Sequence, residues 1–147
     1  MVEELKEIFE RDLTQLEKEI GLYKKEEDLW LLPEGISNTG GNLCLHLAGN
    51  LQHFIGHVLG GTDYVRDREA EFNDKNVPVA DILKEVAAAK KAVIQTLDKL
   101  TSEQLEANYP VEVFKKPMAT TFFLIHLSGH LMYHLGQVNY HRRLLSK

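Results

Sequence analysis

All seven histidines of this chain fall in two apolar segments that carry no acidic residue. In the second of these, His126, His130 and His134 recur at a step of four. An α-helix turns about 100° per residue, so that step leaves only about 40° between neighbouring side chains. The segment TTFFLIHLSGHLMYHLGQVNYHRRLL has no proline and no turn cluster, which predicts one helix with the imidazoles on a single stripe. Neutral imidazoles buried together need partners for both ring nitrogens, and a divalent cation satisfies several at once. Few folds can meet that demand.

Spacing limits how the rings can be used. Neighbours at i and i+4 are separated by about 6 Å of rise and can converge on one ion, whereas His126 and His134 lie about 12 Å apart. A third ligand must therefore come from elsewhere, and NLCLHLAGNLQHFIGHVLGG offers His46, His53 and His57. There His46, Asn50, His53 and His57 follow steps of four, three and four along about 16 Å of helix. Two combinations stay open: His53 and His57 with one histidine of the last helix, or an HxxxH of the last helix with one histidine of the earlier one. A single histidine on a buried helix is more commonly a hydrogen-bonded core residue. The concentration of all of them on two helices is what points to a metal.

The rest of the chain reads as helical. Residues 2–23 place Leu5, Ile8, Phe9, Leu13, Leu16, Ile20 and Tyr23 at three- and four-residue steps, with charges mostly opposite. Pro33, Gly35, Gly40 and Gly41 interrupt residues 26–41, after which Asn38 or Thr39 can cap a helix over about 40–59 that stops at Gly60-Gly61. That helix is uncharged and is expected to be the most buried element. The charged stretch 62–78 is long enough to cross the end of a bundle. Residues 79–99 form a third amphipathic helix, with Ile82, Leu83, Val86, Ala89, Val93 and Leu97 inward. Thr101 with Gln104 resembles a capping box, Tyr109 to Pro117 reads as extended chain, and the last helix runs from about Ala119 to Leu145. Four main helices without a credible sheet predict one all-α domain over residues 1–147.

Composition narrows the partners. A net charge of −5 argues against nucleic acid or an anionic membrane. The acidic N-terminus lacks a signal-peptide core, and no apolar run approaches the roughly 20 residues that span a bilayer. The single cysteine, Cys44, fits a reducing cytoplasm.

The block HLSGHLMYHLGQVNYHRR, with its final HxxxH followed closely by Gly136-Gln137, resembles the C-terminal signature of the DinB/YfiT-like superfamily. NTGGNLCLHLAGNLQHFIG is similar to its upstream motif, an apolar helix with one ligand histidine, and GGTDYVRDREAEF to an uncharacterised branch. The resemblance covers essentially the whole chain. It implies a four-helix bundle with a long crossover between helices two and three, and a metal triad at His46, His130 and His134. Three neutral imidazoles leave a position for water or substrate, and they suit zinc or nickel. Relatives so resembled include metal-dependent transferases of low-molecular-weight thiols and proposed hydrolases. A small metalloenzyme acting on a small molecule, with such a thiol as a candidate reactant, and working as a homodimer is the leading expectation. A non-catalytic metal-binding protein and a purely structural helical dimer are the alternatives.

Expectations for the other residues follow from position. His126 is assigned to the core one turn before the pair, His53 and His57 to the bundle lining, and His141 to solvent near the chain end. Asn50 and Gln137 can orient a ligand by hydrogen bonding. Tyr133 and Tyr140 are expected to pack with hydroxyls at the rim. Cys44, two residues before His46 and about 200° round the helix, faces away from the site. Trp30 is a core or dimer-interface anchor, and Glu26-Glu27-Asp28 a solvated helix end. Nothing in the pattern places a carboxylate beside the triad as a general base.

Overall fold

The computed structural model describes residues 1–147 and is all-helical, with no β-strand. Its helices are α1 (Val2–Leu22), α2 (Gly40–Leu51), α3 (Arg68–Asn73), α4 (Val79–Lys99), α5 (Ser102–Glu106) and α6 (Thr120–Leu145). The apolar stripe of α1 (Leu5, Phe9, Leu13, Leu16, Ile20) meets that of α4 (Ile82, Val86, Ala89, Val93, Leu97) in one buried core. α1 packs on α4 and α6, and α2 packs on the same two, so the four long helices close a ring with α1 diagonally across from α2. None of the helices is long and apolar enough to cross a membrane.

Local chemistry explains where the elements begin. The Thr39 hydroxyl caps α2 by accepting from the Asn42 backbone N–H at 3.0 Å. Thr101 and Gln104 form the reciprocal capping box of α5. α2 is buried along its whole length apart from half-buried Leu45, as its lack of charge predicts. Its N-terminal glycines lie tight against neighbours: a Cβ on Gly40 would come 2.9 Å from His141 Nδ1, and one on Gly41 2.7 Å from the Trp30 ring. Trp30 is thus a packing residue against α2.

Two expected elements differ from the sequence reading. α-Helical geometry in the second apolar segment stops at Leu51, and Gln52–His57 continue as a wider π-helical turn with bonds such as Val58 N–H to His53 C=O at 2.9 Å. An i→i+5 ladder does not keep the 3.6-residue phase, so His53 and His57 leave the stripe of His46 and stack on each other, centroids 6.0 Å apart. The Tyr109–Pro117 segment is not extended. It turns back on itself, closed by an isolated bridge between Asn108 and Ala119 and by the Tyr109 N–H bond to Met118 C=O at 2.8 Å.

The long connection 62–78 folds over α2. Its short helix α3 is capped by the Asp67 carboxylate, which accepts from the Ala70 N–H at 3.1 Å. Asn42 on α2 anchors it, the side-chain amide donating to Glu71 C=O and Asp74 C=O at 2.9 Å each. This positions one face of α3 above His46.

Candidate metal centre

His46 of α2 and His130 and His134 of α6 come together where the two apolar helices pack, and their ligand nitrogens all lie within 4.8 Å of one another. His46 is buried and the other two are half-buried. The i, i+4 pair contributes adjacent rings with centroids 4.6 Å apart, and His46 stands edge-on to both.

Tautomers follow from the partners. The Glu71 carboxylate accepts from His46 Nδ1–H at 3.0 Å, and Arg66 grips the same carboxylate with two bonds of 2.9 Å. Burial pushes the Glu71 carboxyl up, but those hydrogen bonds and charges outweigh it and hold the group below its ordinary value. Glu71 is therefore ionised and acceptor-only, and the Nε2 of a neutral His46 ring is a bare lone pair. Likewise His134 Nδ1–H donates to Gln137 Oε1 at 2.7 Å, which leaves its Nε2 free. Two rings are thus turned so that Nε2 is the atom available to a ligand.

The third ring tests the fit to a cation. His130 Nε2 lies 3.2 Å from His46 Nε2, and His130 Nδ1 is buried without a partner. If His130 carries its proton on Nδ1, an orphan N–H is buried and two lone pairs face each other. If it carries it on Nε2, Nδ1 is a bare buried acceptor. Either arrangement is costly without a further group. A tetrahedral ion with bonds of 2.0–2.1 Å sets ligand nitrogens about 3.3 Å apart, which matches the short edge of the cluster. Burial, with His134 and His46 adding to it, pushes the His130 imidazole down to about 4, so it is neutral and ligand-competent at pH 7. Burial also lowers His134, against the opposing bond to Gln137. The residues present fit a divalent cation.

The other candidates are placed elsewhere. His126 is exposed, not core: it stacks on Phe123 (5.8 Å, 9°) and meets Phe114 edge-on, because it stands on the outer side of α6, away from buried Leu124 and Leu127. His141 is buried, not solvent-exposed. Its Nδ1 accepts from the Tyr23 hydroxyl at 2.7 Å and its Nε2–H donates to Leu31 C=O at 2.8 Å, so both nitrogens are satisfied structurally. Asn50 is buried with Oδ1 unpartnered, while Gln137 takes the orienting role. Cys44 is buried in the core, and burial raises its thiol to about 12. Tyr133 and Tyr140 do not pack inward; both rings stand exposed on α6.

Glu71 and Arg66 are the site residues that sequence reasoning did not find. They sit in the charged connection, among several acids and bases of identical appearance. A signal was present at Gly49, three residues after His46: a Cβ there would fall 2.0 Å from Glu71 Oε2. Only glycine lets this carboxylate cross α2 to reach the imidazole.

Beside the cluster, a groove of about 710 Å³ runs between the loop 33–38 and the outer flank of α6, and His134 forms part of its wall. The loop turns at Gly35, whose φ of 96° suits glycine.

Fold and site together define an all-helical protein with a partly buried three-histidine group that could hold a metal ion. The chain belongs to the family described as "Protein of unknown function (DUF1572)", whose model matches residues 1–147. Among solved structures it is similar to the "conserved protein of locus from Enterococcus faecalis", at 16% identity and a TM-score of 0.73, over 99% of this chain and 96% of that one. At that identity the likeness concerns the fold. No curated protein sequence matches the chain.

Proposed function

We propose that this protein is a four-helix bundle of the DinB/YfiT type in which His46, His130 and His134 hold one divalent ion, zinc or nickel, for thiol S-transfer or hydrolysis on a small molecule. The observation that carries the reading is the 3.2 Å approach of two imidazole Nε2 atoms, with the third ring turned by Gln137 to offer the same atom. The closed ring of long helices and the connection folded across α2 support the bundle.

A divalent ion with three imidazole ligands lowers the pKa of a water or thiol at its remaining position. Around it, Glu71 and Gln137 orient rings, and the groove beside His134 receives the organic reactant. Glu71 spends both oxygens on His46 and Arg66, so it is not free to act as a general base. That favours a low-molecular-weight thiol as nucleophile over a protease-like water. The reading includes a homodimer formed through the exposed face of α6.

Metal analysis of untagged protein tests the site. About one equivalent of zinc or nickel is expected, lost in His46→Ala, His130→Ala and His134→Ala. Retention of a full equivalent in all three variants would refute the assignment. Metal-dependent turnover of electrophiles with added thiols then separates the enzyme from a non-catalytic metal-binding protein.

A further inference from the structure

We infer that the groove beside His134 takes an apolar organic molecule without an anionic group, neutral or cationic, as the non-thiol reactant. This rests on reading the triad as the reactive centre. The groove, at about 710 Å³, has the size of small-molecule sites, which run from roughly 300 to 1,000 Å³. Its wall contains no lysine and no arginine, and its one formal charge is Glu34.

Exposed apolar side chains gather there. Ile36 is 46% exposed, Tyr133 66%, Tyr140 63% and Leu144 62%, and all four line this groove. In a chain with 27% charged residues, such a cluster inside a concave groove fits a ligand surface. Tyr133 and Tyr140 are seven residues apart, two turns along one face of α6, so their rings flank an apolar body about 10 Å long. Arg143 lies over the Tyr140 ring, 5.4 Å from its centroid, and is not part of the lining.

Electrostatics then selects the reactant. In the metal-free protein, an anion entering this groove loses hydration, finds no lysine or arginine in the wall and meets the Glu34 carboxylate. A neutral molecule avoids that cost, and a cation gains from Glu34 and from the Tyr133 ring, the Tyr140 ring already facing Arg143. A thiol bearing carboxylates is disfavoured by the same argument and would approach the triad from outside this groove.

The test uses three probes with one aromatic body: 2-phenylethanol, 2-phenylethylamine and phenylacetate. Each is titrated into the full chain by calorimetry, metal-free and zinc-loaded. In the metal-free protein the alcohol and the amine are expected to bind at least about tenfold more tightly than phenylacetate. Glu34→Lys should reverse the order of amine and acid, and Tyr140→Ser should weaken all three. Equal or tighter binding of phenylacetate by the metal-free protein overturns the inference, as does absence of binding by the alcohol and amine. The metal-free ranking is independent of zinc uptake, so failure of the metal site and failure of the groove are separately visible.

Discussion

Glu71 joins three parts of the molecule at one carboxylate: the His46 ring, the Arg66 guanidinium and the bare backbone of Gly49. Toward a metal on the proposed triad it would hold one imidazole in the right tautomer, and partners of that kind are commonly worth about 10–100-fold in metal affinity. Glu71→Gln is therefore expected to weaken zinc binding by about that factor in chelator competition, and Gly49→Ala to do the same by displacing the carboxylate. Unchanged affinity in both variants would show that Glu71 serves only the fold. At this scale the sequence was partly legible. Spacing leaves two combinations of rings open, and the resemblance of the HxxxH block with its Gly-Gln to the DinB/YfiT-like signature is what points to His130 and His134. Nothing in TDYVRDREAEFNDK tells which acid turns inward, because that depends on Asn42 pulling the backbone of α3 down onto α2.

At the scale of elements, α6 has two jobs on one helix. Phe123, Leu124, Leu127, Leu131 and Val138 fill the core, while Phe122, Ile125 and Met132 lie exposed, with Gly129 between the last two and Gly136 one turn beyond Met132. A Cβ added at either glycine would meet nothing within 4 Å, so this stripe has room for a second backbone. In the proposed homodimer this exposed apolar face is where two copies would meet, since a self-complementary helix face suits a two-fold dimer. Sedimentation at tens of micromolar is expected to give twice the 16.8 kDa chain mass for the native protein and a single chain for Ile125→Glu/Met132→Glu. A monomeric native protein would exclude the α6 dimer. The periodicity of α1 and α4 was readable because each has one wet face. That of the second apolar segment was not, since a π-helical turn changes the phase without changing the composition.

For the whole molecule, a buried ion pair ties the first helix to the last. Glu19 accepts from Arg142 at 2.6 Å and from Asn139 at 2.7 Å. Burial pushes its carboxyl up, but the bonds from Arg142 and Asn139 prevail and leave it below its ordinary value of 4.5. A carboxyl depressed in the folded state binds its proton more readily when unfolded. Its stabilisation is then complete above the unfolded value and is lost as pH falls through the folded one. Urea midpoints are expected to fall as pH drops below 6.5, where the unfolded chain's histidines take up protons that buried His130 does not, and to fall further below about pH 4.5, with that second limb shallower in Glu19→Gln. Arg142→Met, which strands a buried carboxylate, should cost about 3 kcal/mol at pH 7. An identical acid limb in Glu19→Gln would show that other carboxylates set the pH response.

Helix class, the position of most elements and the two histidine blocks are local properties, carried by hydrophobic period and by caps such as Thr39 and Thr101, and they can be read along the chain. The membership of the three-ring group is not local. It depends on how α2 and α6 pack, which sets His46 Nε2 within 3.2 Å of His130 while His126 is left outside. Packing of α1 on α6 buries His141 against Tyr23, although its place near the chain end suggested solvent. Distances between side chains on different helices follow from the relative placement of their axes. A residue's spacing from its own neighbours does not encode that placement.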